Sequence, residues 1–172
     1  MARLPLGVLF GRCQAAIHGR PSPEALRAAG RTWIDWAGPG EEALAARLRE
    51  TAPREDSLVH VDYHLLNVIT DGGRITGVLD WTNVRAGDPR ADYARTLTIL
   101  RLDSGTASPL MLAVLRAFEA GWRRGYRRRT AGRSSDMAPY YAWTGVVMLR
   151  DRGPRPDRPV GMTARELGRV RA

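Results

Sequence analysis

The sequence predicts an α+β fold, predominantly helical, with one small β-hairpin, on three observations. Apolar residues recur at helical spacing over most of the chain, as in Leu6, Leu9, Phe10, Cys13 and Ile17, or Leu112, Leu115, Phe118 and Trp122. One stretch departs from that pattern: Ser57 to Thr70 is rich in Val, Ile, Leu and Tyr and runs into Asp71-Gly72-Gly73, residues that tolerate positive φ. The length, 172 residues, suits one domain.

Taken in order, Leu6 to Ile17 reads as an amphipathic helix starting after Pro5. Pro21, Ser22 and Pro23 break the chain, and Pro23 to Trp36 reads as a second helix, closed by Gly38-Pro39-Gly40. Glu41 to Arg49 is a short alanine-rich helix with glutamates at its start, where the helix dipole favours them. The hairpin strands are expected to end at Thr70 and to return over Arg74 to Leu79, followed by a loop through Gly87, Asp88 and Pro89. Helices then follow over Arg90 to Leu102, Pro109 to Tyr126 and Met137 to Arg150. Gly153 to Pro159 reads as a linker, and Thr163 with Glu166 as the capping box of a terminal helix.

Composition narrows the function classes. Hydrophobic residues at 44% and charged residues at 26% describe a globular chain and exclude wholesale disorder. All 27 cationic residues are arginine, against 18 acidic ones, for a net charge of +9. Total exclusion of lysine reads as codon bias rather than as a nucleic-acid surface, and it removes any chemistry that needs a lysine from this chain. The lone Cys13 excludes internal disulfides and fits a small buried apolar side chain in a reducing cytoplasm. No cleavage site follows Met1 to Phe10, and no run approaches the ~18 apolar residues of a membrane span.

The chemistry concentrates in His60-Val61-Asp62-Tyr63-His64-Leu65-Leu66-Asn67 and, across the hairpin, Asp80. Asn67 enters one strand and Asp80 leaves the other, so a turn at Asp71 to Gly73 brings both to the open end. One amide oxygen and one carboxylate are a partial shell for Mg²⁺, which keeps waters and borrows phosphate oxygens. Asp62, on the loop feeding the hairpin, can accept a hydroxyl proton while the metal neutralises a transferred phosphoryl group.

His60-x-Asp62 with Asn67 resembles the catalytic loop of the protein-kinase-like fold, with Asp80 where that fold carries a second metal-binding aspartate. With His64 inside the loop, Asp80-Trp81, and Gly87-Asp88-Pro89-x-x-Asp92-x-Ala94 after it, Val59 to Ala94 is similar to the aminoglycoside phosphotransferase family and its choline-kinase-like relatives. The resemblance implies the C-terminal lobe of that fold and transfer of the ATP or GTP γ-phosphoryl group to a small-molecule hydroxyl, such as that of an aminoglycoside-like or amino-alcohol acceptor. It makes Asp62 the base, Asn67 and Asp80 the Mg²⁺ and nucleotide ligands, and His60, His64, Asp88 and Asp92 supporting residues. Val61 stands where the family commonly has glycine, Leu65 where it often has proline, and Thr82 where an acidic residue is frequent. The chain then divides into leading helices (1–56), catalytic loop, metal hairpin and following loop (57–94) and a helical substrate side (95–172). The amino-terminal nucleotide lobe with its lysine is expected to be missing, which should leave little activity in this chain alone.

Three other readings compete. His60, Asp62 and His64 alternate and on a regular strand would face one way as a zinc-hydrolase site. Trp122 to Arg129 interleaves aromatics with arginines, as single-stranded nucleic-acid sites do, although a helix end with solvated arginines is the favoured reading, since Trp122 continues the apolar stripe. A catalytically inactive lobe acting as a scaffold is the third. Neither a membrane nor a nucleic acid is an expected partner.

Overall fold

A computed structural model describes residues 4–30, 32–51, 53–103, 108–127 and 136–152. Its helices are α1 (Leu6–His18), a single turn α2 (Glu24–Arg27), α3 (Glu42–Glu50), α4 (Pro89–Asp103), α5 (Pro109–Arg127) and α6 (Ala138–Arg152). The strands are β1 (Ser57–Val59), β2 (Val68–Thr70), β3 (Ile75–Val78) and β4 (Arg85–Gly87). They form two separate antiparallel pairs, β1 with β4 and β2 with β3. The expected α+β class and its hairpin are therefore present.

Two expectations fail. The helix over Pro23 to Trp36 breaks after one turn, because Gly30 takes φ +70° and Thr32 then donates from its N–H and hydroxyl to Asp35 Oδ2 at 2.9 and 3.0 Å. That clasp starts a 3₁₀ turn over Ile34–Ala37, which swings Trp33 and Ile34 into the core. The loop after Asp80 contains β4, paired so that Val59 faces Arg85 and Ser57 faces Gly87. Three residues are too short a run for alternation to reveal a strand. The linker over Gly153 to Pro159 and the Thr163–Glu166 box lie outside the described residues.

Two apolar cores flank the middle of the chain. One gathers Trp33, Ile34, Leu48, Val59, Val61, Ala94, Tyr140, Trp143 and Val147. The other gathers Phe10, Tyr63, Leu97 and Trp122, with Cys13 packed against it as the apolar reading expects. The second core depends on α1 and α5 touching backbone to backbone. A Cβ at Gly11 would collide with the Trp122 carbonyl, and one at Gly125 with that of Val8. Tyr126 and Trp122 are buried, so the arginine-rich end of α5 is the edge of a core helix. Arg128 and Arg129 lie outside the described residues. No described helix is long and apolar enough to cross a membrane.

Candidate active site

Val61 belongs to the first core and Tyr63 to the second, and both are almost fully buried. Asp62 stands between them, half-buried, so the two cores pin its backbone on both sides. Val61 adopts φ +65°, a region that costs a β-branched residue about 1–2 kcal/mol. Two groups on α4 hold it there: Asp92 Oδ1 accepts from the Val61 N–H at 2.8 Å, and Arg95 Nε donates to the Val61 carbonyl at 2.5 Å. On the other flank, the Tyr63 hydroxyl donates to the Phe10 carbonyl at 2.9 Å and Thr96 Oγ1 donates to the Tyr63 carbonyl at 2.9 Å.

The same left-handed residue breaks the strand needed by the zinc reading. His60 turns inward, wholly buried, its Nε2 donating to the Leu79 carbonyl at 2.9 Å and its Nδ1 accepting from the Asp62 N–H at 3.3 Å. Those bonds fix the tautomer with the proton on Nε2. His64 turns the other way, its Nδ1 accepting from the Leu66 N–H and its Nε2 lying 3.7 Å from Asp62 Oδ2 and 3.1 Å from Asn67 Nδ2. His64 is the main cause that holds the Asp62 carboxyl below its ordinary value, against burial and with help from the charge of Arg95. Among the described residues no three His, Cys, Asp or Glu side chains form a metal cage.

At the hairpin, Asp71 Oδ1 accepts from the Gly73 and Arg74 N–H groups at 2.8 and 2.9 Å, and Gly72 takes φ +83°. The turn sets the register Val68 opposite Val78, and the Leu79 N–H then donates to the Asn67 carbonyl at 2.8 Å. Asn67 and Asp80 are thereby neighbours at the open end. Asn67 Nδ2 donates to the Asp62 carbonyl at 3.0 Å, and because a carbonyl only accepts, this turns Asn67 Oδ1 away from the loop. Asp80 takes the left-handed region that aspartate tolerates, φ 55° and ψ 67°, and caps a 3₁₀ turn over Trp81–Asn83. Its Oδ1 accepts from the Thr82 hydroxyl at 2.7 Å. Among the described residues neither Asn67 Oδ1 nor Asp80 Oδ2 is hydrogen-bonded. One open amide oxygen and one open carboxylate oxygen fit a hard cation that completes its shell with water and phosphate.

Asp88 and Asp92 do not reach this end. Asp88 is buried at the start of α4, where Oδ1 accepts from the Arg90 N–H at 2.8 Å and Oδ2 from the Arg54 N–H at 2.8 Å and from Arg90 NH2 at 2.6 Å. It is a helix cap and loop tie. Asp92 is fully buried beneath the loop, its Oδ2 accepting from the His60 N–H at 3.3 Å and lying 2.7 Å from His18 Nε2. Burial alone would raise its carboxyl, but the hydrogen bond and charge of His18 and the Val61 N–H outweigh it and hold the group low. His18 in turn lies 2.7 Å from the Tyr126 hydroxyl, while Gln14 Nε2 donates to Thr96 Oγ1 at 2.8 Å and Gln14 Oε1 accepts from Trp122 Nε1 at 2.8 Å. Sequence reasoning missed His18, Gln14 and Arg95 as loop-positioning residues. A histidine and a glutamine on the buried stripe of α1 were the available signal.

A family model described as the phosphotransferase enzyme family matches residues 12–131. A hygromycin-B 4-O-kinase of Escherichia coli is 44% identical over 45 residues, which are 26% of this chain and 13% of that protein. The uncharacterized protein YcbJ of Bacillus subtilis is 42% identical over 48 residues, 27% of this chain and 16% of that one. Among solved structures, an aminoglycoside-3'-phosphotransferase of type VIII superposes with a TM-score of 0.54 at 19% identity, over 85% of this chain and 62% of that chain. A Ralstonia eutropha protein, itself assigned to the aminoglycoside phosphotransferases by inference, gives 0.54 at 20% identity over 96% and 60%. The chain thus spans about three-fifths of either structure, and the structural likeness is one of fold.

Proposed function

Because the chain belongs to the phosphotransferase enzyme family, we propose that it carries the half of a small-molecule kinase site that orients the acceptor hydroxyl and holds Mg²⁺ against the phosphates of ATP or GTP. The observation that carries this reading is the pair of unbonded oxygens on Asn67 and Asp80, set side by side by the hairpin register, with the Asp62 carbonyl gripped by the Asn67 amide.

In this reading Asp62 accepts a hydrogen bond from the acceptor hydroxyl and turns its oxygen toward the γ-phosphorus. The new P–O bond forms as the bond to the bridging oxygen of the nucleotide breaks, the hydroxyl proton passes to Asp62, and the nucleoside diphosphate leaves. A carboxyl held below its ordinary value by His64 stays ionised through this approach. That suits a loose transition state, where positioning matters more than early proton abstraction. Mg²⁺ on Asn67 and Asp80 would neutralise the phosphate charge. Thr82 leaves Asp80 one free oxygen, Oδ2, for that task. The acceptor is a small alcohol, and the lone Cys13 agrees with a reducing cytoplasm as the setting. The segments 1–56, 57–94 and 95–172 supply leading helices, catalytic centre and acceptor side.

The chain has no lysine, so a phosphate-gripping lysine cannot come from these residues. That favours a second reading, a lobe that binds nucleotide without turnover. Titration of the full chain with Mg·ADP tests the site under both. Asp80→Ala is expected to weaken binding by at least about tenfold, while Asp62→Asn leaves it unchanged. Equal affinity in Asp80→Ala removes that residue from the site. With a nucleotide lobe joined to the chain, turnover that Asp62→Asn abolishes supports the enzyme, and binding without turnover supports the second reading.

A further inference from the structure

Three guanidiniums surround one indole beside the proposed base. Arg85 on β4, Arg95 on α4 and Arg150 on α6 lie 5.0, 5.3 and 5.8 Å from the centre of the Trp36 ring. An aromatic face attracts a cation, which accounts for one arginine but not for three gathered against their mutual repulsion. Asp151 meets two of them: its Oδ2 accepts from Arg95 at 2.9 Å and its Oδ1 from Arg150 at 3.3 Å. Arg95 also holds the Val61 carbonyl, and Arg150 donates to the Trp36 carbonyl.

Arg85 differs. Among the described residues its side chain makes no ion pair and no hydrogen bond, and its Nε is buried without an acceptor. Buried polar groups in native proteins are satisfied, and a guanidinium fork is built to receive a planar or tetrahedral oxyanion. The cluster also adjoins the reacting end of the loop. Arg85 faces Val59 across the small sheet, and Arg95 grips the residue that precedes Asp62. A net charge of +9 draws anions toward the chain and repels polycations.

We propose that Arg85, Arg95 and Arg150 around Trp36 form an oxyanion site beside Asp62, and that the acceptor alcohol therefore carries a phosphate or carboxylate group. The site stands on its own geometry; its role as an acceptor site rests on the phosphotransferase reading. A polycationic aminoglycoside is the acceptor this surface selects against.

Isothermal titration of the full chain with inorganic phosphate, glucose 6-phosphate, gluconate, glucose and hygromycin B tests it, with thermal melts as the control for folding. At least one of the three oxyanion probes should saturate while glucose and hygromycin B do not. Tighter binding of glucose 6-phosphate assigns a phosphate, and tighter binding of gluconate a carboxylate. Arg85→Gln should weaken the oxyanion by about tenfold or more, with Arg85→Lys recovering part of the loss; Arg150→Gln repeats the test should Arg85→Gln melt early. Absence of saturable oxyanion binding, affinity unmoved in both glutamine variants, or hygromycin B bound more tightly than either oxyanion overturns the site. Mg·ADP titrations with Asp80→Ala on the same samples separate the two readings. Nucleotide binding that needs Asp80, without any oxyanion binding, sinks this inference and leaves the phosphotransferase standing. Oxyanion binding through Arg85 without nucleotide binding keeps the anion site and removes its acceptor role together with the phosphotransferase reading.

Discussion

His60 to Tyr63 are tied to α1, α4 and the hairpin by backbone and side-chain hydrogen bonds, whereas Asn67 and Asp80 each present an oxygen with no hydrogen bond among the described residues, at the end of a two-stranded ribbon. The first region spends its polar groups inward: Asp92 serves two N–H groups of the loop, and Arg95, Thr96 and Tyr63 close the remaining ties. The second keeps Leu66 85% exposed, with Ile69 and Leu79 about half exposed. The base is therefore fixed by the fold, and the metal-facing end is left for ligand to complete. Substitutions in the first region should cost stability, and those in the second should cost binding alone.

The largest expected effect sharpens that contrast. Asp92→Ala strips His18 and two buried N–H groups of their partner, and breaking a buried charged network of this kind costs about 3–5 kcal/mol; urea unfolding reads it. Gly11→Ala drives a methyl into the Trp122 carbonyl at the α1 and α5 crossing. Overpacking of that order costs about 1–3 kcal/mol, visible in the same assay. A loss well under 1 kcal/mol in either variant would mean the two anchoring helices are looser than the packing requires.

Acid unfolding carries the next effect. Asp92 is held below its ordinary value of 3.8. A depressed carboxyl contributes stability that is fully present above the unfolded value and is lost as pH falls through the folded one. The urea midpoint of the parent should therefore fall as pH drops below about 4, and Asp92→Asn should flatten that limb. Parallel limbs would place the acid sensitivity elsewhere. Smaller still is Val61→Gly: relief of the left-handed strain, about 1–2 kcal/mol, offsets much of the roughly 1.5–3 kcal/mol lost with the buried side chain. Its net cost should be clearly below that of Val59→Gly in the same core. At the bottom stands Asp80→Asn, which keeps both the left-handed tolerance and the acceptor for Thr82, so its effect on stability should stay within about 0.5 kcal/mol although it weakens Mg·ADP binding.

The two regions were also unequally legible. The Asp71-Gly72-Gly73 turn fixes a hairpin by local chemistry, so the neighbourhood of Asn67 and Asp80 could be read from spacing alone. Long periodic helices such as α1, α4, α5 and α6 were equally plain to within one or two residues. The anchoring network was not, because its partners are remote: His18 meets Asp92 across 74 residues and Gln14 meets Trp122 across 108. A place on the buried stripe of α1 marks such a histidine as unusual, but nothing local names its partner. The broken second helix was hidden for a different reason. Pro23 to Trp36 has good helical composition, and only the positive φ at Gly30 and the Thr32–Asp35 clasp, driven by burial of Trp33, override it. Asp88 and Asp92 share one motif yet do different work: an aspartate just before Pro89 reads as a helix cap from the sequence, whereas the remote partners of Asp92 show it to be a loop clamp.

The central claim is that one hard cation is shared by Asn67 and Asp80 with Asp62 alongside. NMR of the ¹⁵N-labelled full chain titrated with Mn²⁺·ADP tests it most directly, since the paramagnetic ion broadens only nearby signals. The expected result is early loss of the Asn67 side-chain amide and of the Asp62 and Asp80 backbone signals, reversed by excess Mg²⁺ and absent in Asp80→Ala. Broadening centred elsewhere, or equal in the parent and Asp80→Ala, would contradict it.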